Sequence, residues 1–196
     1  KLKRAEARPV PFDPKRETVD EFSKRVPVEQ VIDRYAELLE ELFLIRNPKY
    51  RFDKNYKEEF KKFAAAHAGK ETLEEIGRWF YFPWSRLLVH YLEEELHQEL
   101  RTALNKNIIT KAEQKKFYDC VVGIGGLSVG SHAALTIAMM GGAKKIKLAD
   151  PDTISGSNLN RIRFSFLDVG RKKTDLVREY IYQLNPYAEV ETFDSG

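Results

Sequence analysis

Cysteine is nearly missing from this 196-residue chain, where Cys120 stands alone. One thiol closes no disulfide and completes no zinc site, which excludes a disulfide-stapled scaffold and suits a reducing compartment. Long apolar runs are missing as well. None reaches the roughly 18 residues a membrane helix needs. The basic start runs into Pro9-Val10-Pro11-Phe12-Asp13-Pro14, not into the apolar segment of a signal peptide. Internal repeats and low-complexity tracts are absent, so solenoids and collagen-like rods drop out. The expectation is a cytoplasmic protein with no membrane partner. The first residue is Lys, not Met, which fits a trimmed N-terminus.

What is present can fill a core: 42% of residues are apolar and 32% are charged. The net charge of +3 is too mild to call for nucleic acid. Basic residues crowd the start, with Lys1, Lys3, Arg4, Arg8, Lys15 and Arg16 against Glu6 and Asp13. Residues 1–17 read as a solvated basic tail.

Residues 18–109 read as an all-α domain. Val28, Val31, Ile32, Tyr35, Leu38, Leu39 and Leu42 recur at helical spacing after Pro27. A helix over 55–67 stops at Gly69, and a short one covers 72–79. The aromatics Trp79 to Trp84 read as packing. Pro83 then opens the longest helix, with Leu87, Leu88, Tyr91, Leu92, Leu96 and Leu100 on one face. That helix holds Glu94-x-x-His97, the spacing of carboxylate di-metal bundles, but no second such pair exists. No Ser-His-Asp or Cys-His pattern stands out, so this half reads as a platform.

Residues 110–196 carry the chemistry. Thr110-Lys-Ala-Glu113 has capping-box form. Phe117 to Ile124 reads as a central parallel strand covered on both faces, with Cys120 as inert core. Small residues then crowd at Gly123, Gly125, Gly126, Ser128 and Gly130. A helix over 131–140 and a strand over 144–149 follow, ending in Asp150. The 24 residues from Gly126 to Asp150 come close to the ~20 of a dinucleotide fingerprint. Such a loop brings backbone amides and a helix N-terminus to a phosphate, and the acid suits a ribose. Asn158, Arg161 and Lys173 add charge that a nicotinamide site does not need and a triphosphate does. The residues alone leave open an NAD(P)- or FAD-binding oxidoreductase and a non-catalytic interaction module.

The segment Asp150-Pro-Asp152-Thr-Ile-Ser-Gly-Ser157-Asn158-Leu159-Asn160-Arg161, then Gly170-Arg-Lys-Lys173 and Leu184-Asn185-Pro186, resembles one family. It is similar to the ThiF, MoeB and ubiquitin-activating adenylyltransferases, over about Lys111 to the C-terminus. The usual Gly-x-Gly-Gly-x-Gly loop is altered. Aligned from the left, Gly123, Gly125 and Gly126 match it, with an insertion before Asp150; counted back from Asp150 without gaps, the register favoured here, Gly126 is its first glycine, and Ser128 and Ser131 replace later ones.

The resemblance implies an α/β fold: a partial Rossmann-like parallel sheet with flanking helices after the all-α domain. It implies an ATP-dependent enzyme that turns a carboxylate into an acyl-adenylate. The carboxylate would be the C-terminus of a ubiquitin-like or sulfur-carrier protein or peptide. Amides near Gly126, Ser128 and Gly130 would line the phosphates, and Asp150 would take the ribose. Asn158, Arg161 and Lys173 would hold phosphates, with Arg161 and Lys173 as the catalytic charges, and Asp152 would support the metal or the loop. A magnesium ligand is expected beyond residue 196, and Arg101 is a candidate to reach the ATP of a partner in a homodimer. The chain stops after a third strand read over 188–193, so the expectation is a fragment of a longer protein, or else a fold completed by another chain, with weak or absent activity alone.

Overall fold

The computed structural model describes residues 8–195. They fall into two compact units, a first of residues 9–103 and a second that holds residues 104–195.

The first unit is not all-α. Its elements are β1 (Val10–Phe12), α1 (Val19–Ser23), β2 (Gln30–Asp33), α2 (Tyr35–Arg46), α3 (Tyr56–Ala68), β3 (Arg78–Phe82), β4 (Leu87–Tyr91) and α4 (Glu94–Arg101). The strands form a four-stranded sheet in the order β1-β3-β4-β2. β1 and β4 flank β3 antiparallel, and β2 joins β4 in parallel.

Three expectations are corrected here. The basic tail ends before Val10, because β1 pairs with β3 and Phe12 inserts into the core; residues 1–7 of that tail lie outside the described residues. The helix expected from Pro27 is instead β2 followed by α2. Asp33 splits them, its Oδ1 accepting the Tyr35 amide at 3.0 Å and turning the chain into α2. The helices expected over 72–79 and from Pro83 give way to the β3–β4 hairpin. Trp79 to Phe82 are consecutive bulky aromatics, which favour a pleated surface over a helix. Pro83 sits in the turn, and Arg86 takes a left-handed φ of 56° to close it. Leu88 and His90 face inward while their neighbours are half-buried, the period of a strand. The helix over 55–67 is present as α3, with Gly69 beyond it at φ 65°.

Two apolar clusters meet at a polar side chain. Phe12, Phe22, Trp79, Tyr81 and Leu88 form one, and Tyr35, Leu39, Leu42, Ala64 and Leu92 the other. His90, 1% exposed, is stacked on Trp79 at 4.2 Å and on Tyr35 at 4.5 Å. Its Nδ1 faces Asp33 Oδ1 at 3.0 Å and its Nε2 the Ile76 carbonyl at 2.7 Å. Each ring nitrogen thus has a polar partner within hydrogen-bond distance, as buried polar groups usually do.

The second unit is α/β, as expected. It holds α5 (Lys111–Asp119), β5 (Val121–Gly125), α6 (Gly130–Met139), β6 (Lys145–Ala149), α7 (Lys173–Leu184) and β7 (Glu189–Phe193). The strands are parallel, in the order β5-β6-β7. Two crossovers stepping the same way along a sheet, both right-handed, put their helices on one face. α6 and α7 pack together, and Ile146, Leu148 and Val190 are buried beneath them. The other face carries Lys145–Glu189 and Lys147–Glu191 ion pairs at 3.1 and 3.3 Å. The expected strand over 117–124, covered on both faces, is corrected: α5 runs to Asp119, and Val121 is 56% exposed. Cys120 is half-buried, its thiol donating to the Phe117 carbonyl at 3.0 Å.

Two outcomes test this packing. Gly77 has φ +72°, and an added Cβ would meet the Tyr91 carbonyl at 2.6 Å and His90 Nε2 at 2.8 Å. Gly77→Ala should therefore cost about 3 kcal/mol, read by urea denaturation; an unchanged midpoint would contradict it. The Thr110 backbone amide, then its hydroxyl, holds the Glu113 carboxyl below its ordinary 4.5. A lowered folded-state value means this cap supports folding above the ordinary value and is lost as pH falls through the lowered one. Carboxyl NMR titration should show Glu113 rising only part of the way toward its ordinary range in Thr110→Ala, which removes the hydroxyl and keeps the backbone amide; an unchanged value would contradict it.

Candidate functional site

The phosphate-loop geometry starts at Gly126. β5 ends at Gly125, and Gly126 turns the chain with φ +76°, its amide donating to the Ala149 carbonyl at 2.8 Å. The Leu127 amide donates to Asp150 Oδ2 at 2.6 Å. The Gly130 amide donates to the Gly126 carbonyl at 3.1 Å and α6 begins. A Cβ on Gly130 would lie 2.9 Å from Ile124 Cγ2, so the close approach of helix to strand requires glycine. Gly123 and Gly125 lie within β5 with open space where a Cβ would stand. The strand-to-helix turn is therefore Gly126 to Val129.

Asp150 closes the loop from below. It follows β6 and is 5% exposed. Besides the Leu127 amide, its carboxylate accepts from the Asp152 amide at 2.8 Å. Its own amide donates to the Phe193 carbonyl at 3.0 Å, which ties it to the end of β7.

Lys173 completes the group. It opens α7 and is 3% exposed. Its Nζ lies 2.8 Å from Asp152 Oδ2, 3.3 Å from Ser128 Oγ and 3.5 Å from both oxygens of Asp150. The Asp152 side chain is itself 67% exposed. A short clasp brings the lysine back to the loop. Ile154 donates to the Arg171 carbonyl and accepts from the Gly170 amide, both at 2.8 Å, and Gly170 turns with φ +89°. The neighbouring cations point elsewhere. Arg171 grips Glu179 at 2.6 and 2.7 Å, and Lys172 reaches Asp194. Burial pushes the Glu179 carboxyl up, and Arg171 draws it back.

The expected residues thus separate. Gly126, Ser128, Gly130, Asp150, Asp152 and Lys173 come together at the loop. Asn158 and Arg161 occupy the adjacent turn. Asn158, 8% exposed, closes it by accepting the Ser155 amide at 3.1 Å. Arg161 is exposed, and its Nη1 donates to the Ser157 carbonyl and to Asn160 Oδ1, each at 2.9 Å. Arg101 ends α4 in the first unit. Sequence reasoning missed His132, in the first turn of α6, whose Nε2 lies 2.8 Å from the Arg161 carbonyl. A lone histidine in an apolar helix belongs to no motif; its polarity beside the loop was the only signal.

Amide-lined turn, helix N-terminus and buried ammonium fit the phosphates of a nucleotide. The metal does not fit as well. Among the described residues no cluster of three His, Cys, Asp or Glu side chains could hold an ion, and the carboxylates of Asp150 and Asp152 are engaged by Lys173.

Residues 101–196 match the ThiF family. The Mycobacterium tuberculosis protein MT1398 is 37% identical over 126 residues, 64% of this chain and 18% of its own length. Ubiquitin-like modifier-activating enzyme 5 of Arabidopsis thaliana is 37% identical over 79 residues, 40% of this chain and 18% of its own. The Escherichia coli tRNA N6-threonylcarbamoyladenosine dehydratase, solved in complex with ATP, aligns with 50% of this chain and 40% of its own, at 29% identity and a TM-score of 0.47. The chain spans about a fifth of the length of the first two relatives.

Removing the Lys173 ammonium leaves Asp150 buried without its cation. Lys173→Ala should cost about 3 kcal/mol of stability. Ser128→Ala, which removes one long hydrogen bond, should cost about 0.5 kcal/mol. Urea denaturation of the two variants checks the contrast, and equal losses would contradict it.

Proposed function

We propose, from the premise that residues 101–196 belong to the ThiF family, that the chain carries the nucleotide-binding strands of an ATP-dependent adenylyltransferase. The observation that carries this reading is Lys173, a buried ammonium set against Ser128, Asp150 and Asp152 at the mouth of the loop. A dinucleotide needs an acid for its ribose and a helix N-terminus for its pyrophosphate. It does not need a lysine at the opening of the next helix but one.

In this reading the amides of Ser128 and Val129 and the start of α6 hold the phosphates, while those of Leu127 and Gly130 keep the turn in shape through Asp150 and Gly126. Asp150 keeps lone pairs for the ribose hydroxyls beyond those that accept from Leu127 and Asp152. Asn158 spends its Oδ1 on the turn, which leaves its Nδ2 donors for a phosphate. Arg161 and Lys173 offset charge as a carboxylate oxygen bonds to the α-phosphorus and the bond to the β-phosphate breaks. Acyl-adenylate and pyrophosphate result, and the acyl group stays at the carboxylate oxidation level. Positioning and charge do the work, since no covalent intermediate with the protein is required. Magnesium, which neutralises polyphosphate charge, takes its ligand from outside the described residues; Asp152 supports the loop.

The carboxylate is proposed to be the C-terminus of a ubiquitin-like or sulfur-carrier protein or a peptide. The name of the Arabidopsis relative supports a protein substrate. A homodimer in which Arg101 reaches the partner's ATP, and a cytoplasmic location, complete the proposal.

Calorimetric titration tests it. The protein should bind ATP in preference to NAD, and Arg161→Ala should weaken ATP binding about tenfold or more through loss of charge-assisted contacts. Binding of NAD but not ATP, or an Arg161→Ala variant with unaltered affinity, would overturn the reading.

A further inference from the structure

The turn that bears Arg161 is stiff within itself. Asn158 closes it onto Ser155, the Arg161 amide donates to the Asn158 carbonyl at 3.0 Å, and the guanidinium is held by Ser157 and Asn160. A stiff turn still needs a fixed place against the phosphate loop. On its N-terminal side the clasp of Ile154 with Arg171 anchors it. On its C-terminal side the tie comes from His132. The imidazole Nε2 lies 2.8 Å from the Arg161 carbonyl. A carbonyl only accepts, so Nε2 carries the proton and donates. His132 stands on the helical turn that receives the loop, its amide bonded to the Val129 carbonyl at 3.0 Å. The bond thus joins the peptide of Arg161 directly to the element that lines the phosphates.

We infer that His132 is the positioning residue for Arg161: it sets the distance between that cation and the phosphate loop without touching the nucleotide. This rests on the nucleotide reading above and adds to it a residue outside the motif. A displacement of about 1 Å in a charge clamp is enough to weaken it.

The test uses α,β-methylene ATP, which cannot be split at the α-phosphate, titrated into the full-length protein. His132→Ala should weaken binding about fivefold, the effect of one hydrogen bond. His132→Gln, which offers an amide N–H of similar reach, should restore most of it. In an Arg161→Ala background His132→Ala should change nothing further, because its effect passes through Arg161. Unaltered affinity in His132→Ala, or a loss of the same size in both backgrounds, would overturn the inference while leaving the nucleotide site standing. A wild-type protein that binds no ATP analogue would remove the nucleotide reading and this inference together.

Discussion

A buried ammonium with two carboxylates governs the C-terminal unit. Lys173 is 3% exposed and Asp150 5%. A charge taken out of water is tolerated only when it is paired and hydrogen-bonded. The end of β6, the Gly126 turn and the opening of α7 therefore have to converge. The clasp between Ile154 and residues 170–171 folds the intervening segment so that they do. The position of the lysine is informative in itself. A cation in the first turn of a helix opposes the helix dipole, so α7 gains nothing from it there. Its place follows from what surrounds it, carboxylates in this structure and, in the proposed reading, phosphates.

The same constraint explains which parts of the site were legible in the sequence. Asp150 and Asp152 follow directly on β6 and Lys173 opens α7, so each sits at the end of a regular element, where position along the chain fixes position in the fold. Gly126 was legible by counting back from Asp150, and its positive φ is where only glycine turns freely. The cations from Asp150 to the first turn of α7 were less separable. Arg171, Lys172 and Lys173 are adjacent in sequence, yet one reaches Glu179, one Asp194 and one the loop. Which of three neighbouring cations is buried depends on tertiary partners, and no local pattern encodes those. His132 was hidden for the same reason, since its partner is a backbone carbonyl 29 residues away.

The first unit was read poorly because its strands are short and its apolar residues consecutive. A four-residue strand such as β2 joined to a helix by one residue presents the same spacing as one longer helix. The run from Trp79 to Tyr91 is buried on both sides of a hairpin, and continuous apolar runs do not discriminate strand from helix by period. The aromatic and β-branched content and the Pro83 to Arg86 turn were the better guide. The unit's centre, His90 between Trp79 and Tyr35, is a packing device: two aromatic clusters share one ring whose polar edges are satisfied by Asp33 and Ile76.

A crystal structure of the protein with α,β-methylene ATP and magnesium tests the central claim most directly. The account predicts phosphate oxygens within hydrogen-bond distance of Lys173 Nζ and of the amides of Ser128 and Val129, with the ribose hydroxyls on Asp150. A nucleotide bound elsewhere, or phosphates out of reach of a Lys173 still locked to Asp150 and Asp152, would contradict it.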